Sequence, residues 1–241
     1  MAYLFRFGLL ISALMLPIFG HGDDKHLIVG AYHYPPFMNE TQASGLYVQF
    51  GHAIEASSDI RLEWAFYPYA RLDSYFQQGK VDIEIGSSPS WNQHKPIPGK
   101  FTQTFYQLED VAIYRATDSK RASKGTDVHG QDIGIVRGYT FPQFQQAFDD
   151  NLARRIEGAD EAHLLQLLVN ERIDQVFMSK LVFFSLQKSN PAYKHLRIGD
   201  VVGRYDVAIR VHPNKAAVID ELNQIIEKLN KTGFTHDLFD D

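Results

Sequence analysis

Apolar residues recur along this chain in two alternating rhythms. Short runs rich in β-branched and aromatic residues predict strands at Leu27–Ala31, Arg61–Phe66, Val81–Gly86, Val111–Arg115, Ile133–Val136, Ile173–Phe177 and Tyr205–Val211. Between them, apolar positions spaced three and four apart predict helices at Leu46–Ser57, Ala70–Gln78, Phe141–Asn151, Glu161–Asn170 and Asn214–Asn230. Strands that alternate with helices make mostly parallel sheets covered by helices, so the expected class is α/β.

One unit occurs twice. The stretches "YARLDSYFQQGKVDIEIG" and "AHLLQLLVNERIDQVFM" each give a helix, a Gly or Asn stop, a basic residue, a β-branched residue, an Asp and then a strand. Gly79 and Asn170 suit the left-handed position that closes a helix. The copies flank the most linker-like segment of the chain, the polar and charged "RATDSKRASKGTD" at 115–127. Two lobes of similar construction are the expectation.

The first residues follow neither rhythm. "MAYLFRFGLLISALMLPIFGHGDD" has one Arg, an apolar stretch from Gly8 to Phe19, small residues at Gly20 and Gly22, and then acids. This is the layout of a secretory signal peptide spanning 1–22, and the apolar run is too short for an ordinary membrane span. A buried N-terminal helix is the alternative. No later segment is long and apolar enough to cross a bilayer, so the expectation is a soluble periplasmic protein. The chain contains no cysteine, which removes lipid attachment at the cleavage point, disulfides and thiolate chemistry. A formal charge of −5 argues against nucleic acid as a partner, which requires basic surface. A composition 44% hydrophobic and 13% aromatic is that of a globular protein with a real core.

Candidate binding chemistry gathers at two strand exits. In "IVGAYHYPPF" a strand ends at Gly30, and Pro35 and Pro36 force a turn that holds Tyr34 rigidly. That tyrosine either packs the core or faces a ligand; Phe37, beyond the prolines, is read as packing. In "VRGYTFPQF" Gly138 ends a second strand, and Thr140 with Gln143 forms the T-x-x-Q pattern of a capping box, with Pro142 in the first turn. Free N–H groups there and the permanent charge of Arg137 favour an anion such as a carboxylate.

Six stretches in order, "VGAYHYPPF", "GLYVQFGHAI", "YARLDSYFQQGKVD", "GIVRGYTF", "ERIDQVF" and "YDVAIRVHPNKAAVIDELNQIIEKLNKTGF", resemble the family 3 bacterial extracellular solute-binding proteins of ABC transporters, the amino-acid-binding type. The resemblance implies the type II periplasmic binding protein fold, two α/β lobes joined by two hinge strands. Lobe 1 would comprise 26–112 and 207–241, and lobe 2 would comprise 117–203. It also implies that Tyr34 and Tyr69 sandwich a ligand side chain. Lobe 2 would contribute Arg137, Tyr139 and Thr140, and the loop after "VDIEIG" would contribute Ser87.

Departures from the family pattern bear on the ligand. The resemblance places His94 where an Arg clamps the ligand carboxylate, Ser179 where an Asp receives the ammonium, and Ala31 where a further acid stands. Histidine lacks the five-donor fork of Arg and is mostly neutral near pH 7, so ordinary α-amino acids are not expected to bind tightly. Lys180 and Arg71 either replace the lost charge or are solvated helix residues. Glu84, in an apolar strand, is either an acid in the cleft or an exposed strand-end residue.

No G-x-S-x-G, Walker loop or H-E-x-x-H occurs, and the 10 histidines show no metal-ligand spacing, so neither catalytic residues nor a metal or cofactor are assigned. The expected function is capture of a small polar or aromatic ligand by a monomer for delivery to an ABC importer. The alternatives are a ligand-sensing module for a membrane receptor or sensor kinase, and a dehydratase-like enzyme using His33, His94 and Glu84.

Overall fold

The structure is a computed structural model that describes residues 25–118 and 125–239. The expected signal peptide at 1–22 lies outside the described residues, as does 119–124 of the linker-like segment. Among the described residues, no helix is long and apolar enough to cross a membrane.

In chain order the elements are β1 (His26–Ala31), α1 (Leu46–Ala56), β2 (Arg61–Phe66), α2 (Tyr69–Gln77), β3 (Ile83–Ser87), α3 (Pro89–Asn92), β4 (Lys100–Phe101) and β5 (Tyr106–Arg115). They continue as β6 (Asp132–Val136), α4 (Pro142–Asp149), β7 (Arg154–Gly158), α5 (Glu161–Val169), β8 (Gln175–Ser179), α6 (Lys180–Ser189), β9 (Leu196–Val211), α7 (Ile219–Lys231) and α8 (Phe234–Phe239). The strands lie in the order β2-β1-β3-β9-β5-β8-β6-β7, with β4 also paired to β9. β1 is parallel to β2 and β3, and β6 is parallel to β7 and β8.

Two long strands join these parallel halves. β9 pairs antiparallel with β3 and β4 through Ala208–Val211 and with β5 through Leu196–Val207. β5 in turn pairs with β8 through Asp110–Ile113. The α/β expectation therefore holds as a two-lobed fold in which β5 and β9 cross between lobes. Both strands are longer than their predicted cores, because the polar residues at the crossing break the apolar run without breaking the ladder. A second consequence is local: the β5–β9 register shifts at Asp110/Val111, and the β3–β9 register shifts between Ile85 and Ser87. Bulges bend a strand and re-aim side chains, and both bulges face the space between lobes.

The repeated unit is real, with one correction. Asp82 Oδ2 accepts from Ile28 N at 2.9 Å, and Asp174 Oδ2 accepts from Asp132 N at 2.8 Å, so each Asp stitches its strand to the parallel neighbour. Gly79 takes the left-handed conformation (φ 67°), but its counterpart is Glu171 (φ 57°), whereas Asn170 has φ −85°. The carboxylate stitch sets the spacing back from Asp174, and this places the left-handed turn one residue later than the sequence pattern indicates.

Two further boundaries differ. The expected helix from Asn214 begins only at Ile219, preceded by a 3₁₀ turn at Pro213–Val218 with His212 at its cap. The apolar face of α7 (Leu222, Ile225, Ile226, Leu229) is buried as its spacing predicts. Thr140 does not form a capping box. The helix starts one residue later than that pattern needs: Phe141 holds the cap position, has no side-chain acceptor and is buried against Phe177 at 5.3 Å, and Pro142 takes the first turn.

Candidate functional site

Each lobe presents a strand exit to the other. After β1, Tyr34 and Met38 exchange backbone hydrogen bonds of 2.8 and 2.9 Å, closing a tight turn over Pro35, Pro36 and Phe37. Tyr34 is buried (6% exposed) between Tyr32, at 5.2 Å, and Phe37, at 5.1 Å, yet it also lines a cavity. Tyr34 thus both packs in the core and faces a cavity. Phe37 is fully buried and packs on Tyr47 at 4.7 Å, as expected.

Opposite it, β6 ends in a turn at Gly138 (φ 91°) that carries Tyr139 across the cleft. The Tyr139 hydroxyl donates to the Tyr32 hydroxyl at 3.2 Å, and its ring lies 4.8 Å from Tyr69 in an edge contact. Tyr69, the first residue of α2, lies 4.7 Å from Tyr32. A Cβ on Gly138 would stand 3.2 Å from the Tyr69 ring, so this close approach of the lobes relies on glycine.

Three adjoining cavities, all lined in part by Tyr32 and Tyr69, surround these rings. The inner one, of about 60 Å³, is lined by Tyr32, Tyr34, Tyr69, Trp91, Tyr139 and Asp110 among others. A second, of about 250 Å³, extends under α2 along β3 to Glu84, Ser87, Asn92 and Lys95. An outer one, of about 420 Å³, lies between Tyr69 and Tyr139 and reaches His33, Arg137 and Glu161.

Of the predicted site residues, Tyr34, Tyr69, Glu84, Ser87, Arg137, Tyr139 and Thr140 line these cavities. Arg137 is exposed and pairs with Glu157 at 3.4 Å. Ser87 is buried and accepts a hydrogen bond from Asn92 at 2.9 Å. Glu84 lies on a central strand, not at an exposed edge. Burial raises its pKa against the opposing pull of Arg210 and Lys95.

Four predicted residues stand elsewhere. His94 is exposed and outside the three cavities, while its neighbour Lys95 lines two of them, because the loop after α3 turns Lys95 and not His94 inward. Arg71 is exposed on α2, on the face turned away from the cleft. Ser179 is buried at the cap of α6. Lys180, the first residue of that helix, pairs with Glu109 at 3.3 Å outside the cavities.

Sequence reasoning missed Tyr32, Trp91, Lys95, Asp110 and Glu161. Tyr32 was recoverable, since a residue two before Tyr34 on an extended segment shares its face. Asp110 gave no such signal, since it follows Glu109 and precedes the apolar run from which the strand was predicted; only the structure extends β5 back to Tyr106. Asp110 pairs with Ser179 in the β5–β8 ladder, so an acid stands beside Ser179 on the adjacent strand.

Arg210 organises the second cavity. It is fully buried, donating from Nη1 to Asp73 and Glu84 at 3.1 Å each, from Nε to the carbonyl of Pro98 at 2.7 Å and from Nη2 to that of Ile97 at 2.7 Å. Its guanidinium lies 3.6 Å from the centre of the Phe76 ring. Lys95 joins the group through Asp73 at 2.8 Å.

Known structures share this architecture. An ancestral arginine-binding protein bound to arginine superposes with a TM-score of 0.75 at 17% identity, covering 89% of this chain and 96% of that one. A histidine kinase sensor domain with similarity to periplasmic binding proteins gives a TM-score of 0.78 at 18% identity, covering 89% and 95%. The GluR0 ligand-binding core from Nostoc punctiforme in complex with L-glutamate gives 0.72 at 18%, covering 89% and 97%. No curated protein sequence matches the chain. The model of the bacterial extracellular solute-binding proteins, family 3, matches residues 27–241, and the chain belongs to that family.

Proposed function

We propose that this protein is a periplasmic solute-binding protein that captures a small ligand between its lobes and presents the closed form to a membrane partner. The observation that carries this is the set of cavities lined from both sides, by Tyr34 and Tyr69 on one lobe and Tyr139 and Thr140 on the other. A ligand touching both lobes binds the closed form more tightly than the open one, and only that difference shifts a hinge equilibrium. Under this reading lobe 1 comprises 26–112 and 207–241, lobe 2 comprises 117–203, residues 1–22 are removed on export, and the protein acts as a monomer that binds without turnover.

Delivery to an ABC importer is the leading role. The similarity to a histidine kinase sensor domain favours a second one, presentation of the ligand state to a sensor. A pull-down of membrane proteins with the closed form distinguishes the two by whether a permease or a kinase is retained.

The binding role is tested by a thermal-shift screen of amines, amino acids and organic acids, followed by small-angle scattering. Stabilisation follows RT ln(1 + [L]/Kd), or about 2.7 kcal/mol at a hundredfold excess over Kd. A hit should reduce the radius of gyration of the open population, and Tyr69→Ala should abolish the shift. Turnover of a hit, or a hit unaffected by Tyr69→Ala, overturns the reading.

A further inference from the structure

The cleft holds more acidic side chains than its own bases pair with. Under α2, the acids Asp73 and Glu84 and the bases Lys95 and Arg210 neutralise one another through contacts of 2.8–3.1 Å. Two more acids face the cleft without such partners. Asp110, on the β5 bulge, is 8% exposed and lines the inner cavity. Glu161, at the start of α5, is 6% exposed, lines the outer cavity, and its Oε1 has no hydrogen-bond partner. No ion pair among the described residues joins either one to a Lys or Arg. Buried carboxylates without a counter-charge are costly.

The surrounding surface is aromatic. Tyr32, Tyr34, Tyr69, Trp91 and Tyr139 line the inner cavity together with Asp110. Ring faces are negative and attract a cation electrostatically, most strongly where water is excluded. An anion would meet two uncompensated acids. A zwitterion would require a free base for its carboxylate. However, Lys95 is held by Asp73, Arg210 is fully buried among its own partners, and Arg137 stands exposed beside Glu157 on the outer cavity, away from Asp110.

We propose that the ligand of this cleft is an organic ammonium cation, its charge set against Asp110 and Glu161 and its apolar body against the aromatic rings. This rests on the cleft being the binding site. It replaces the carboxylate guest that the second strand exit suggested and excludes α-amino acids as preferred ligands.

The proposal carries a pH signature. Burial pushes Asp110 up to about 8, with Glu161 adding to the rise. Burial pushes Glu161 up to about 7, against the opposing pull of its own backbone N–H. The groups facing Asp110 are Glu161 and the hydroxyls of Tyr34, Tyr47 and Tyr205, with Lys95 on the same cavity. Facing Glu161 are Asp160, Tyr32, Tyr34, Tyr69 and Tyr139, with Arg137 and His33 on its cavity. A cation favours the ionised carboxylates, so it should bind more tightly at pH 8 than at pH 6 and release protons as it binds.

Calorimetry with choline, tetramethylammonium and phenylethylammonium tests this, against the neutral carbon isostere of choline, phenylethanol, phenylacetate, arginine and glutamine. At least one cation should bind, with its neutral isostere and with Asp110→Asn each weaker by about tenfold or more. Asp110→Asn is isosteric, and circular dichroism should show it folded; Glu161→Gln provides a second variant with the same expected direction. The inference is overturned if none of the three cations binds, if the isosteres bind equally, or if Asp110→Asn and Glu161→Gln both retain full affinity. It is also overturned if phenylacetate or an amino acid binds in preference. In that last case, loss of binding in Tyr69→Ala would leave the cleft reading standing. A cation that tolerates Tyr69→Ala and Asp110→Asn alike would remove the cleft reading as well.

Discussion

Replacing Arg210 with Met should destabilise the protein severely, and the size of the loss follows from what surrounds the guanidinium. The side chain is fully buried, and its donors satisfy two carboxylates and two carbonyls at 2.7–3.1 Å. Methionine fills much of the volume over Phe76 but leaves Glu84, whose side chain is 13% exposed, as a buried carboxylate without its cation. Asp73 keeps Lys95 and suffers less. Breaking a buried ion pair on one side typically costs about 3–5 kcal/mol, because the remaining charge is uncompensated. In a domain of this size, that corresponds to a fall in Tm of roughly 6–20 °C.

The loss has a pH dependence with a defined sign. Glu84 already has a raised pKa from burial, and Arg210 opposes that rise. Without Arg210, the folded-state pKa climbs further above the unfolded value. The ionised form then opposes folding, so the deficit grows as pH rises and shrinks as Glu84 is protonated. Urea unfolding of Arg210→Met at pH 5 and pH 8 should show the larger deficit at pH 8, and adding Glu84→Gln should recover part of it. Arg210→Lys should not rescue, since one ammonium cannot reproduce a fork shared among four acceptors. A loss below about 1 kcal/mol, or a double variant no more stable than the single one, would refute the reasoning.

Three further outcomes are expected. Asp110 and Glu161 are raised on folding, so without ligand their contribution to stability should be fully present below about pH 4 and be lost toward pH 8, and Asp110→Asn should flatten the stability-versus-pH curve between pH 6 and pH 8 in a Tm series. Glu171→Gly should stabilise by about 0.5–1 kcal/mol in chemical denaturation, because a side chain at φ 57° strains the turn that Gly79 makes freely in the other copy. Gly86→Ala should destabilise by about 2–4 kcal/mol by the same measure: it has φ 96°, and a Cβ there would lie 2.1 Å from the Tyr47 ring.

The sequence by itself determined the class of fold and most of its elements, because these depend on local period and on breakers. The apolar spacing of α7 and the two helix–turn–Asp–strand units are properties of short stretches, and the structure keeps them. β7, with the sequence RRIEG, was not legible, since its charged residues hide a strand that only pairing with β6 stabilises. The tertiary structure alone decided which polar residues meet. Tyr34 could be singled out from a rigid strand exit and Tyr69 from the family resemblance, but His94 and Lys95 are neighbours, and only the path of the loop determines which enters the cleft. Asp110 and Glu161 lie 51 positions apart and become a pair of uncompensated acids through a strand bulge and a helix start brought to one cleft. Burial and charge balance are properties of that assembled space, and a linear pattern carries no record of them.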